Sequence, residues 1–233
     1  KFDSTGALHV LDTLAGEIVR VVDGAKEVVG RVQPSSADNL AFSDDDRLFV
    51  SSFADGFVVE VLDPDTNRTL SPGGLIMPGG VALDVTGGTE RLWLADFFSL
   101  RALDPASGAE LDAERDVLGV SEIGTVMTVH PHEDTLILTT WFDNQVKIWN
   151  PAERAIEGRF EGFTAPLDAL AYGDGIAVAE LGSASVLHFD PESPDERSIL
   201  ASDLGLPTGL ATADGNLFVT DRAGGRLLQI GAA

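Results

Sequence analysis

Residues 38–63 read DNLAFSDDDRLFVSSFADGFVVEVLD. Two short apolar runs, NLAFS from Asn39 and LFVSS from Leu48, flank an acidic turn made of Asp44, Asp45 and Asp46. A third run, VEVLD from Val59, follows the turn residues Ala54, Asp55 and Gly56. Apolar runs of about five residues bounded by Asp, Gly and Ser are the signature of strands joined by tight turns. The second run has relatives along the whole chain. It begins at Leu8, Leu48, Leu92, Leu136, Ile176 and Leu217, at spacings of 40, 44, 44, 40 and 41 residues.

The first run repeats too, centred on Leu40, Val81, Met127, Leu170 and Leu210, and the third repeats from Ile18, Val59, Leu100, Val146, Val186 and Leu227. Four copies of the third run close on Asp-Pro or Asn-Pro, at 63–64, 104–105, 150–151 and 190–191, which turns the chain and stops the strand. A more variable fourth run follows, as at residues 27–32 and 155–160. Four short strands per unit of about 40 residues, with no helical period between them, describe the blades of a β-propeller and exclude a parallel α/β fold. The sequence therefore predicts one all-β domain over residues 1–233, a six-bladed β-propeller of four-stranded antiparallel blades. The first and last blades are expected to be incomplete, lacking an inner and an outer strand respectively, with the natural polypeptide continuing beyond one or both ends.

Composition narrows the function classes. Fifteen Lys and Arg against 38 Asp and Glu give a formal charge of −23, which repels a phosphate backbone and argues against a nucleic-acid partner. No apolar stretch approaches the roughly 20 residues of a membrane-spanning helix. Without cysteine there are no disulfides, thiolate metal sites or Cys nucleophiles. The acid excess and a start at Lys1 rather than Met fit a salty or exported setting, periplasmic or secreted, with an ordinary acidic cytoplasmic protein and a trimmed chain as the alternatives. No Gly-x-Ser-x-Gly elbow or phosphate-cradling loop supports a serine hydrolase or an NTPase.

The segments DNLAFSDDDRLFVSS (residues 38–52) and PTGLATADGNLFVTD (residues 207–221) resemble the SMP-30/gluconolactonase/LRE-like propellers, with NHL-repeat and strictosidine-synthase-like propellers as relatives. VKIWNP (residues 146–151) resembles a WD40 blade. The first resemblance implies a divalent cation, usually Ca2+, held over the central channel by a Glu and by Asn and Asp residues that begin inner strands. Asp168 falls where that family has its aspartate, Thr125 where it has Asn and Gly79 where many members have a second Asn. The first-strand Glu would lie before Lys1. Counting two residues back from each inner-strand centre also sets Asp38 and Thr208 at this position. Asp38 and Asp168 would then be metal ligands and catalytic residues, Asp38 as ligand or general base, each with the alternative of capping a turn.

The second run ends on Asp12, Ser52, Asp96, Thr140, Glu180 or Asp221. A residue type repeated in most blades points to blade stability, here through backbone N–H groups of the following turn. Ligand recognition is expected where the repeat breaks: Trp141 and Phe142, Phe97 and Phe98, Phe53, and Arg222, together with Thr125 and Thr208. Packing between blades is the alternative for these aromatics. His130, Pro131, His132, Glu133 and Asp134 form a metal-like string that is expected in a surface loop, whereas His9 and His188 are expected inside strands. The functional expectation is a propeller binding a small molecule at its channel. As an enzyme it would use a divalent cation to hydrolyse a lactone or ester. The alternative is a non-catalytic NHL- or WD40-like scaffold for a protein or ligand partner.

Overall fold

The computed structural model describes residues 1–33, 36–71, 74–85, 88–116 and 122–231. They build strands and turns in two compact units, Lys1–Arg115 and Asp116–Ala233, of three blades each. In the first unit, β1 (Leu8–Asp12), β2 (Glu17–Val22) and β3 (Ala25–Arg31) form a three-stranded blade. β4 (Ala37–Phe42), β5 (Leu48–Ser52), β6 (Phe57–Asp63) and β7 (Thr66–Thr69) form the second, and β8 (Pro78–Asp84), β9 (Arg91–Asp96), β10 (Ser99–Leu103) and β11 (Glu110–Arg115) the third.

The second unit opens with β12 (Val126–His132), β13 (Thr135–Thr140), β14 (Gln145–Asn150) and β15 (Ala155–Phe160). β16 (Pro166–Tyr172), β17 (Gly175–Glu180), β18 (Ser185–Phe189) and β19 (Arg197–Ala201) follow, and β20 (Pro207–Ala213), β21 (Asn216–Asp221) and β22 (Arg226–Ile230) complete it. All pairings are antiparallel between consecutive strands, so this is the all-β six-bladed propeller class, with three strands in the first and last blades. No helix among the described residues is long and apolar enough to cross a membrane.

The second strands read as continuous apolar runs because both faces of a blade are covered. β5 is buried at every position: Leu48 and Val50 pack with Ile18, Val32 and Leu40, while Phe49 turns the other way to Ala41, Val81, Leu92 and Leu94. β17 does the same, with Ile176 and Val178 beside Phe163 and Phe189, and Ala177 and Ala179 beside Leu210 and Leu217. A side-chain period of two thus serves two cores at once. Outer strands carry the polar load. β7 is TNRT, exposed throughout, and β11 is ELDAER, so the free edges present charge rather than a template for another strand.

Each inner strand carries a register shift just after its first pair: Ala37/Asn39, Pro78/Val81, Val126/Thr128, Pro166/Asp168 and Pro207/Gly209. The pairing that follows differs from the expected alignment in two strands. Opposite Val50, Leu94, Leu138, Val178 and Val219 of the second strands stand Leu40, Val81, Val129, Ala169 and Leu210, so the centres expected at Met127 and Leu170 are displaced by two residues and one. The string from His130 to Asp134 is likewise not all loop. β12 runs through His132, and only Glu133 and Asp134 form the turn.

Candidate functional site

At the top of each blade the second strand finishes and the inner strand begins. Pro78, Pro166 and Pro207 start three of the inner strands, and the N–H groups just ahead of them have no partner on the blade's ladder. The residue ending the second strand supplies one. Asp96 Oδ1 accepts from Ile76 N (2.7 Å) and Met77 N (2.9 Å), and Glu180 Oε1 from Thr164 N (2.6 Å). Asp221 Oδ1 accepts from Gly205 N (3.0 Å), Leu206 N (2.9 Å) and Gly224 N (3.1 Å). An arginine five residues on backs two of them, with Arg101 Nε 2.8 Å from Asp96 Oδ2 and Arg226 Nε 2.9 Å from Asp221 Oδ2. Donors from Leu206 and Gly205 hold the Asp221 carboxyl far below the usual carboxylate range. Only Asp12 bonds the following turn alone, through Leu14 N and Ala15 N. In the other three blades the main grip falls on the loop leading into the same blade, not on the turn that the sequence suggested.

In the fourth blade Thr140 stands in place of the carboxylate, and the polarity of the grip is reversed. Lys147, on β14, is buried beneath the loop that leads into β12. Its Nζ donates to Glu122 O (2.9 Å) and Ile123 O (3.0 Å) and stands 3.4 Å from Asp143 Oδ2. Burial pushes the ammonium below its ordinary pKa, against the pull of Asp143. Gly124 leaves room for this arrangement, since a Cβ there would meet Asp143 Oδ2 at 1.9 Å and Lys147 Nζ at 2.9 Å. Sequence reading passed over Lys147, although the alternation in VKIWN puts it on the same strand face as the buried Trp149.

Asp168 is buried in the wall of inner strands. Oδ1 accepts from Ala169 N (3.0 Å) and lies 2.8 Å from His130 Nε2 on the preceding blade, while Oδ2 accepts from Leu210 N (2.8 Å) on the following one. One carboxylate thus ties β12, β16 and β20. Strand register sets Asp168 level with Asn39, not Asp38. Asn39 makes the same local bond, Oδ1 accepting from Leu40 N at 2.8 Å. Asp38 occupies the extra position before it, on the exposed side. Thr208 takes that extra position in β20, with Oγ1 3.1 Å from Thr220 Oγ1. Thr125 lies ahead of β12 and is buried. The expected equivalence of Asp38, Thr125 and Asp168 therefore fails, because Met127 lies two residues before, and Leu170 one residue after, the positions that pair as Leu40 does.

These residues do not fit a calcium cage. Hard cations need several converging oxygens. Among the described residues no three His, Cys, Asp or Glu side chains come together for a metal ion, and both Asp168 oxygens already serve protein donors. His130, expected in a loop, proves to be the partner of Asp168, while His9 and His188 are strand residues whose rings approach Ala7 O (3.1 Å) and Tyr172 O (3.0 Å).

The repeat-breaking residues lie at the tops of their blades. Phe53 is half-buried, with its N–H on Ser36 O, and Arg222 is exposed, with its N–H on Leu206 O. Phe97, at φ 54°, meets Phe98 edge to face at 4.5 Å between centroids. Trp141 and Phe142 are 38% and 67% exposed, their rings 24° from parallel with centroids 6.0 Å apart. Their turn is fixed by the two residues that follow them. Asn144, at φ 56°, donates its N–H to Trp141 O (3.1 Å) and accepts from Ala165 N through Oδ1 (2.8 Å), and Asp143 reaches the buried Lys147. The other end of the fifth and sixth blades has a cavity of about 470 Å3 lined by Tyr172, Thr212 and Asp214 among others.

No protein-family model and no curated protein matches the sequence. Solved structures do resemble the fold. Virginiamycin B lyase from Staphylococcus aureus aligns over 99% of this chain and 82% of its own, at 13% identity and a TM-score of 0.72. A chain of a nidogen/laminin complex aligns over 97% and 88%, at 16% identity and 0.73. An auxiliary nutrient binding protein from Bacteroides ovatus aligns over 99% and 68%, at 12% identity and 0.73.

Proposed function

We propose that this propeller binds a small molecule, with Trp141 and Phe142 at the top of the fourth blade as its main contact. The observation that carries this reading is a pair of solvent-facing aromatic rings on a turn braced by the two residues that follow them. Large rigid rings with little ordering left to lose are the groups that ligand sites use for contact area. Two proteins of similar fold are in keeping with it, one a lyase solved with quinupristin and another a nutrient-binding protein. Hydrolysis of a lactone or ester assisted by a divalent cation would require Asp168 to exchange its backbone donors for the ion, which counts against that chemistry.

Tryptophan emission provides the test. Trp93 and Trp149 are 3% and 5% exposed, so the exposed Trp141 is the reporter of ligand. A panel of lactones, sugars, organic cations and aromatic amides, and separately Ca2+, Mg2+, Mn2+ and Zn2+ against EDTA, is followed by emission and by thermal melts. At least one organic class should raise the melting midpoint in the parent and lose that effect in Trp141→Ala. A panel without any shift, or shifts untouched by the substitution, would overturn the reading. A cation-specific shift abolished in Asp168→Ala would restore the metal site.

A further inference from the structure

We propose that the ligand of the Trp141 and Phe142 turn is a small organic cation of the tertiary or quaternary ammonium class, an inference that rests on this turn being the ligand site. An aromatic face is electronegative and attracts a cation placed over it. Here two such rings, 24° from parallel, are presented together at the surface.

The electrostatics around them favour positive charge. The lysine nearest the turn, Lys147, is withdrawn from solvent with Nζ turned onto Glu122 O and Ile123 O and paired with Asp143 Oδ2, so its ammonium is balanced inside the turn and not presented to a ligand. Glu161 joins the same edge, its Oε1 accepting from Gln145 Nε2 at 3.0 Å. The nearby guanidinium groups are taken up. Arg159 Nη2 is 2.8 Å from Glu122 Oε2, and Arg197 bonds Gly162 O and lies 4.0 Å over the Phe163 ring. That last contact shows the same cation and ring chemistry within this unit. A chain charge of −23 adds a long-range field that draws cations in and disfavours anionic ligands.

The experiment compares choline with its uncharged isostere 3,3-dimethylbutan-1-ol, by Trp141 emission and by calorimetry, in 20 mM and 500 mM NaCl. The two probes match in shape, so any difference between them reads the charge. Choline is expected to bind saturably and at least about fivefold more tightly, the size of one or two exposed cation and ring contacts. The ratio should shrink in high salt, and binding of choline should be lost in Trp141→Ala while far-UV circular dichroism shows the β fold retained. Equal binding of the two probes overturns the inference while leaving a neutral-ligand site intact. So does a panel in which sugars or lactones move Trp141 emission and choline does not. A panel in which nothing binds overturns the ligand reading itself, and this inference with it.

Discussion

Asp96, Glu180 and Asp221 solve one local problem, the N–H groups stranded ahead of a strand, and Lys147 solves its mirror image with stranded carbonyls. The solution has a pH signature at Asp221. Its carboxyl is held below its unfolded value, so its stabilisation is fully present above about pH 4 and is lost as pH falls below that toward the folded pKa. Urea midpoints followed from pH 6 to pH 2.5 should fall less steeply in Asp221→Asn than in the parent; identical slopes would show that this carboxylate does not contribute. For Lys147→Met, a buried and a part-buried carbonyl lose their donor, and equilibrium unfolding should register a loss of about 1–3 kcal/mol. The acidic residues were legible in the sequence as repeated structural groups. Their partners were not, because the Ile76 and Met77 amides lie some twenty residues upstream of Asp96 and meet it only when the blade closes.

Among the strands, the inner one carries the irregularity and accepts blade-to-blade bonds from the second strand of the blade before it. Ser51 Oγ on β5 donates to Gly79 O (2.5 Å), and Thr139 Oγ1 at the same place on β13 reaches Leu167 O (3.5 Å). Where β17 has Ala179 instead of a hydroxyl, the tie to the next blade comes from Asp168 to Leu210 N. Ser51→Ala should therefore cost about 1–3 kcal/mol by orphaning a buried carbonyl, measured by urea denaturation, whereas Ser51→Thr should retain most of the stability. Strand positions were legible because apolar runs and turns repeat at a fixed period. The one-residue insertion at the start of each inner strand was not, since counting from an apolar centre assumes an unbroken pairing. Register sets Asn39, not Asp38, level with Asp168, and places His130 in the wall beside it.

Over the whole molecule, charge sets the behaviour in salt. With 38 acidic and 15 basic residues the folded chain repels itself, and ions that screen this repulsion should stabilise it. The melting midpoint is expected to rise by several degrees between 20 mM and 500 mM NaCl; a flat or falling midpoint would contradict the charge argument.

The sequence by itself determined the class of fold, the number of blades and their unequal ends, because turns and apolar runs are local properties that a sixfold repeat makes unmistakable. It also singled out Trp141 and Phe142 as breaks in the pattern. The tertiary structure decided which groups meet. It buried Lys147 under a loop, bound both oxygens of Asp168 to neighbouring blades and left the two rings in solvent. Those outcomes depend on register and on packing between blades, where residues forty positions apart in the chain become neighbours, and no local pattern records that distance.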